Sequence, residues 1–419
     1  MRRNVGFALV LAACAGKAEG TAVLVTGPEE GVLTRAPAVT SLVVEAVAAD
    51  GSTREVTRAS LPTDTLDLGD FLKDDSGALR VRGEDATGVA RVEGESLPFR
   101  YGAAEGRNAF VFVQRKGESA RFPSPFQTPF PSVLVDVVAS RYVLGIEGTR
   151  AAFYDLANLV PVADRTLPLA PRSVAIFDTR LFLVSDAAKA TVLDLSDSAQ
   201  TELDAPAGGS FAEVAGGATV RANDGVTYIV GATRKDVPTA RVLRITKDGT
   251  LSFVELAAAR NGAGAAWITG RGLLVVGGSA TAAGLEIVAP QATKGVPLPF
   301  PPEPASDLAV VALDAPRVLV VGGAPAFRTA DLGCATACTL PAFDAPAGLA
   351  LASPHAVSFG ATALVSATDG TSARAFVATT TSVREIVLRT KRTRATLVPL
   401  PTGNVAIVGD AAELESFRP

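Results

Sequence analysis

The sequence predicts an all-β protein, and three observations carry that prediction. Of its 419 residues 48% are hydrophobic and only 20% charged, with 39 glycines and 27 prolines, which suits many short strands joined by tight turns. Short alternating or continuous apolar runs bounded by Gly, Pro, Asn and Asp fill the chain from about residue 21 onward. Beyond residue 107 these runs acquire a period.

Each periodic unit contains an apolar strand that ends at a small residue. The instances are RYVLG at Gly145, RLFLVS at Ser185, VTYIVG at Gly231, LLVVGG at Gly277, RVLVVGG at Gly322, TALVS at Ser366 and NVAIVG at Gly409. Successive anchors lie 40, 46, 46, 45, 44 and 43 positions apart. After each anchor comes a strand such as AFYDL, TVLDL or RVLRIT, several alternating apolar with polar residues as a half-buried strand does. A third short run and a further apolar strand such as SVAIFD, AAWITG or LAVVAL complete about four strands per unit. Four strands in about 45 residues make one blade, and seven blades around an axis make a seven-bladed β-propeller over residues 108–419. The small anchors are expected to be structural, because a residue without bulk lets neighbouring backbone approach. The last unit runs out at Pro419 after its third strand, so NAFVFVQRKG, residues 108–117, is expected to supply its outermost strand. Two packed sandwiches with similar strand lengths are the alternative architecture.

Residues 21–107 predict a small β-sandwich ahead of the propeller. TAVLVTG is followed by SLVVEAVAA and TREVTRASL, joined across Asp50-Gly51, a hairpin cue. LRVRGEDATGVARVEG, residues 79–94, forms a second hairpin and resembles the closing hairpin of immunoglobulin-like or fibronectin-like modules. Asp64, Asp67, Asp70, Asp74 and Asp75 lack the spacing of an EF-hand loop and read as a solvated acidic stretch.

The N-terminus reads as an address. Arg2 and Arg3 precede the apolar run VGFALVLAA, too short to span a bilayer, so residues 1–13 are expected to be a signal peptide. The run ends in Leu11-Ala12-Ala13-Cys14, which resembles the lipobox of bacterial lipoproteins. That resemblance implies that Cys14 is lipidated and that residues 14–20 link the anchor to the folded chain. Ala15 resembles the outer-membrane rather than the inner-membrane retention signal of lipoproteins, which implies an outer-membrane lipid anchor facing the periplasm or the cell surface; an ordinary cleaved signal peptide is the alternative. The double glycines at Gly277 and Gly322 resemble those of kelch repeats in galactose-oxidase-type propellers.

Chemistry is sparse. With Cys14 assigned to lipid, Cys334 and Cys338 remain in GCATAC and either close a small disulfide loop or stay free; a metal site would need more soft ligands. No metal or other cofactor is expected. His355 is the only histidine and reads as a packing residue, in the position where kelch units often carry one. No G-x-S-x-G, Walker or dinucleotide motif is present. A formal net charge of −4 disfavours nucleic acid as a partner. Arg389, Lys391, Arg392 and Arg394 read as a solvated connector. VPLPFPPEPASD and RFPSPFQTPFPS read as rigid proline-rich connectors. The expectation is a monomeric, membrane-anchored, non-enzymatic binding or scaffold module that meets a protein or polysaccharide ligand through its loops. The alternative is a glycan-acting hydrolase or lyase with carboxylates at the ring axis.

Overall fold

The computed structural model describes residues 9–12, 21–28, 30–63, 75–101, 108–231, 237–343 and 351–419. Their regular structure is all β apart from one turn of 3-10 helix at Phe211–Glu213. No helix among them is long and apolar enough to cross a membrane. Cys14 and the acidic positions Asp64, Asp67, Asp70 and Asp74 lie outside the described residues.

Seven antiparallel sheets follow one another after residue 118. Their innermost strands are Leu134–Val138, Ser173–Phe177, Ala218–Arg221, Gly264–Ile268, Ala309–Ala312, Ala352–Phe359 and Ala395–Pro399. The first four sheets and the sixth hold four strands in chain order, and the fifth holds three among the described residues. Each innermost strand touches those of the sheets before and after it, and Ala395–Pro399 returns to touch Leu134–Val138. Stacked sandwiches make no such closed ring, so the architecture is a β-propeller.

The second strand of each sheet explains the continuous apolar runs in the sequence. Gly272–Val276 and Val405–Gly409 are buried at every position, because a neighbouring sheet covers each face. Leu274 and Val276 of the fourth sheet share a core with Val310 and Val320 of the fifth, and each fully buried side chain contributes about 1.5–3 kcal/mol. Outer strands meet water and are polar, as in Val160–Thr166.

The seventh sheet reads Ser119–Arg121, Glu415–Phe417, Val405–Gly409, Ala395–Pro399 from rim to axis. An early segment does complete it, but not the expected one. Asn108–Phe112 instead runs parallel to Thr21–Val25, and Gln114–Arg115 pairs with Ala90–Glu95. Side-chain alternation gives the reason. Val111 and Val113 enter the core of the N-terminal sheets, while Phe110 and Phe112 pack against Phe122, Tyr154 and Val408 of the propeller. A strand with both faces buried is a seam between two cores and cannot serve as a half-exposed rim strand. The short Ser119–Arg121 matches the three residues of Glu415–Phe417, with Arg121 opposite Glu415.

Ahead of the seam, Ser41–Val47 pairs with both Thr53–Ser60 and Ser76–Glu84, and the latter with Ala90–Glu95. Both expected hairpins are present. Ser52 donates its backbone N–H to Asp50 Oδ1 at 2.9 Å in the first turn, and Thr87 to Asp85 Oδ1 at 2.8 Å in the second. These hydrogen bonds, with a salt bridge from Arg91, hold the Asp85 carboxyl far below the usual carboxylate range. Thr21–Val25 adds Ala22 and Leu24 to the core built by Leu42, Val44 and Val81. Its other edge is paired with Leu9–Ala12, within the expected signal segment. Thr53–Ser60 is an outer strand whose Arg54, Glu55 and Arg58 guard the edge.

A buried polar network binds the two parts. Arg418 pairs with Glu93 and donates to Thr402 O at 2.6 Å and Asn404 Oδ1 at 2.8 Å. Asn404 reaches Ser416 Oγ at 2.8 Å, and Gln114 reaches Ser416 O at 3.1 Å. The aromatic proline-rich stretch after residue 121 is a connector, with Phe122, Phe126 and Phe130 buried and Tyr154 Oη donating to Pro123 O at 2.6 Å.

Candidate functional site

The seven innermost strands enclose an axial cavity of about 610 Å³ to which every sheet contributes. Strand register sorts the wall into levels. At the level of the anchors lie Val135 and His355, paired with Gly145 and Ser366. One residue further along its strand lies Asp136, and at the end of the third innermost strand lies Arg221. Most of the lining residues are Val, Ala, Leu, Ile, Gly and Pro, with Thr219, Thr227, Thr396 and Ser353 as hydroxyls.

Asp136 and Arg221 are two of the four charged residues lining this cavity, and the Arg221 side chain is 49% exposed. Arg221 Nη2 donates to Ile176 O at 2.5 Å and stands 3.7 Å from Asp136 Oδ2, so one guanidinium spans the first three sheets. Asp136 Oδ1 accepts the N–H of Val137 at 2.7 Å. The Asp136 side chain is 34% exposed to a water-sized contact, yet protein surrounds it on all sides of the channel. That desolvation pushes its carboxyl above the usual range, and Arg221 only partly offsets it.

His355 lines the cavity, and its imidazole has no hydrogen-bond partner among the described residues. A residue expected to pack thus presents its ring to the channel. Desolvation pushes it down to about 4, so the ring is neutral near pH 7 and offers one donor and one acceptor. Asp307 and Arg172 also line the cavity, and Arg172 donates to Asp186 Oδ2 at 3.0 Å.

The anchors sit where lead-in segments cross the second strands. A Cβ on Gly145 would lie 2.1 Å from Pro131 O, and on Gly409 2.2 Å from Arg394 O. Gly277 has φ +81°, a left-handed conformation that side chains resist, and a Cβ there would meet Ala305 O at 2.6 Å. Gly231 and Gly322 occupy the corresponding places against Ala263 and Pro354. Ser366 is buried and donates Oγ–H to Ala395 O at 2.7 Å, tying sheet six to sheet seven. Ser185 Oγ accepts the N–H of Ala187 at 3.2 Å.

Three buried ion pairs near the anchors escaped sequence reasoning. Arg260 donates to Gly277 O at 2.8 Å and pairs with Glu286; Arg328 donates to Gly322 O at 2.8 Å and pairs with Glu303. Arg392 pairs with Glu415 at 2.6 Å, both side chains fully buried. The basic cluster is an exposed connector at Arg389, Lys391 and Arg394, of which Arg389 bonds Ser119 O and Glu118 and Arg394 bonds Glu147; Arg392 alone departs from that reading by being buried. Arginines that open the second strands act between sheets as well. Arg180 donates to Lys247 O at 2.7 Å, and Arg271 to Leu332 O at 2.6 Å. Their recurrence in RLFLVS and RGLLVVGG was the available signal.

Cys334 and Cys338 are joined in a disulfide. Cys338 is buried and its N–H donates to Pro299 O at 3.1 Å, which fixes the proline-rich connector to this loop. Among the described residues no group of three or more His, Cys, Asp or Glu is placed to hold a metal ion.

No protein-family model matches the chain, and no curated protein matches it in sequence. Among solved structures it is similar to a streptogramin B lyase at 13% identity and TM-score 0.48, covering 71% of this chain and 96% of that one. A chain of a mitotic checkpoint complex is similar at 12% identity and TM-score 0.48, covering 73% and 91%. The β-propeller domain of Cps50 (Swd1) from Myceliophteria thermophila is similar at 12% identity and TM-score 0.46, covering 70% and 98%.

Proposed function

We propose that this protein is a lipid-anchored, non-enzymatic binding or scaffold module, a monomer held at the outer membrane through Cys14 and facing the periplasm or the cell surface. In this reading residues 108–419 are a seven-bladed, kelch-like propeller, and the immunoglobulin-like part before it is a rigid spacer. The Glu93–Arg418–Asn404–Gln114 network supports a spacer that does not hinge. One observation carries the binding reading. The axial cavity brings aliphatic residues together with convergent polar groups, as a ligand site does, and its volume falls within the usual range for one. A glycan hydrolase would need two carboxylates working on one bond, whereas Asp136 and Asp307 belong to the first and fifth sheets, which are not neighbours in the ring.

Two measurements test this. Cys14→Ala should move the protein from the membrane fraction to the soluble one; retention in the membrane would overturn the anchor. The soluble form, incubated with protein and polysaccharide panels, should retain a ligand without releasing product. Release of shortened glycan would replace the binding reading with the enzymatic one.

A further inference from the structure

Two neighbouring charged groups of the axial wall, Asp136 and Arg221, are only half committed. Asp136 Oδ1 accepts from Val137, but Oδ2 has no hydrogen bond among the described residues. Arg221 uses Nη2 on Ile176 O and has no described hydrogen bond from Nη1 or Nε. At 3.7 Å the pair is too far apart for a mutual hydrogen bond. A bare acceptor and bare donors therefore stand side by side in a cavity whose remaining lining mixes aliphatic residues with hydroxyls, His355, Arg172 and Asp307.

Charge decides what fits. A cation drawn to Asp136 is repelled by Arg221, and an anion drawn to Arg221 is repelled by Asp136. Because the two charges stand 3.7 Å apart, attraction to one and repulsion by the other nearly cancel for any ion that meets both. A neutral group with one acceptor beside one donor satisfies both. An amide has that pattern, and side-chain amides pair in this bidentate way with an adjacent donor and acceptor on a base edge.

We propose that the axial cavity binds a small, largely apolar molecule bearing an uncharged primary carboxamide or lactam. Its carbonyl accepts from Arg221, its N–H donates to Asp136 Oδ2, and its apolar body lies against Val135, Val174, Val310 and Val398. The inference rests on the binding-module reading and names the ligand chemistry of that module's own cavity. His355, on the sixth sheet, adds a neutral donor and acceptor across the ring.

The test uses the purified full chain and three probes that share one ring system: naphthalene-2-carboxamide, 2-naphthoate and 2-naphthylmethylammonium, followed by calorimetry and ligand-observed NMR. The carboxamide should bind at least tenfold more tightly than either ion. Arg221→Met should shift the preference to the ammonium, and Asp136→Leu to the carboxylate, since each leaves one charge alone. Arg221→Lys, which keeps the cation, should retain binding of the amide even if the Met variant folds poorly. Equal binding of all three probes to the wild type, or binding of none, overturns the amide assignment, while the binding-module reading is decided separately by the protein and polysaccharide panels. Binding of the carboxamide followed by its hydrolysis would confirm the site and overturn the non-enzymatic reading.

Discussion

Removing the Arg392 guanidinium probes how the ring is closed. Its Nη2 lies 2.6 Å from Glu415 Oε1 and its Nη1 donates to Ile407 O at 3.1 Å. Glu415 also accepts the N–H groups of Arg389 and Thr390, each at 2.9 Å. In Arg392→Met the carboxylate keeps those two donors and loses its counter-charge where no water reaches. Removing one partner of a buried pair costs about 3–5 kcal/mol. The retained amides hold the loss toward the lower end, and the abandoned Ile407 carbonyl adds about 1 kcal/mol. We expect about 4 kcal/mol in all. The double variant with Glu415→Gln should recover at least 2 kcal/mol, because the buried charge is gone. Urea unfolding at pH 7 across the four-member cycle gives both numbers, and hydrogen exchange at Val405–Gly409 shows whether the last sheet loosens first. A loss below 1 kcal/mol, or a coupling indistinguishable from zero, would refute the assignment of this pair as a clasp on the closing sheet.

Further outcomes follow from other contacts. Gly145→Ala forces a Cβ to within 2.1 Å of a backbone carbonyl and should cost about 2–3 kcal/mol, read as a lower urea midpoint with unchanged slope. Arg418→Ala should expose the seam to limited proteolysis near residues 113–118, and intact wild-type-like resistance would count against the polar latch. Burial raises the Glu93 carboxyl, but Arg418 and Lys116 outweigh it and bring it below its ordinary 4.5. Its stabilising effect is therefore present above about pH 4.5 and lost as pH falls through the lower folded value. The difference between Arg418→Ala and wild type should shrink over that range in acid titrations of stability. His355 has a folded value depressed from 6.5 to about 4, so the unfolded chain binds its proton first and stability falls as pH drops through that window. His355→Gln should flatten this dependence by at most about 3 kcal/mol, a ceiling that channel water lowers; an unchanged profile would show that the ring titrates as if free.

Much of the fold was legible because its signals are local. RVLVVGG shows an apolar strand and the small residue that must end it, and Asp50-Gly51 specifies a hairpin through side-chain and backbone bonds within three residues. The rim strand of the last sheet was misplaced because NAFVFV and the true donor Ser119–Arg121 are separated by only a few residues, and strand propensity favours the former. Only the two cores competing for opposite faces of Asn108–Phe112 remove it from the rim. Arg392 and Lys391 are adjacent in a basic run and look alike, yet one is enclosed with Glu415 and the other is in water. The axial pair was invisible for the same reason: Asp136 and Arg221 belong to different sheets, and no spacing along the chain links them.

By itself the sequence determined the all-β class, the period and most strands, since pleat alternation and turn chemistry act over a handful of residues. The tertiary structure alone decided which segment closes the ring, which arginines are buried and what faces the axis. Those outcomes depend on which sheets become neighbours when the chain comes full circle, and burial and charge pairing are properties of that neighbourhood rather than of any stretch of chain.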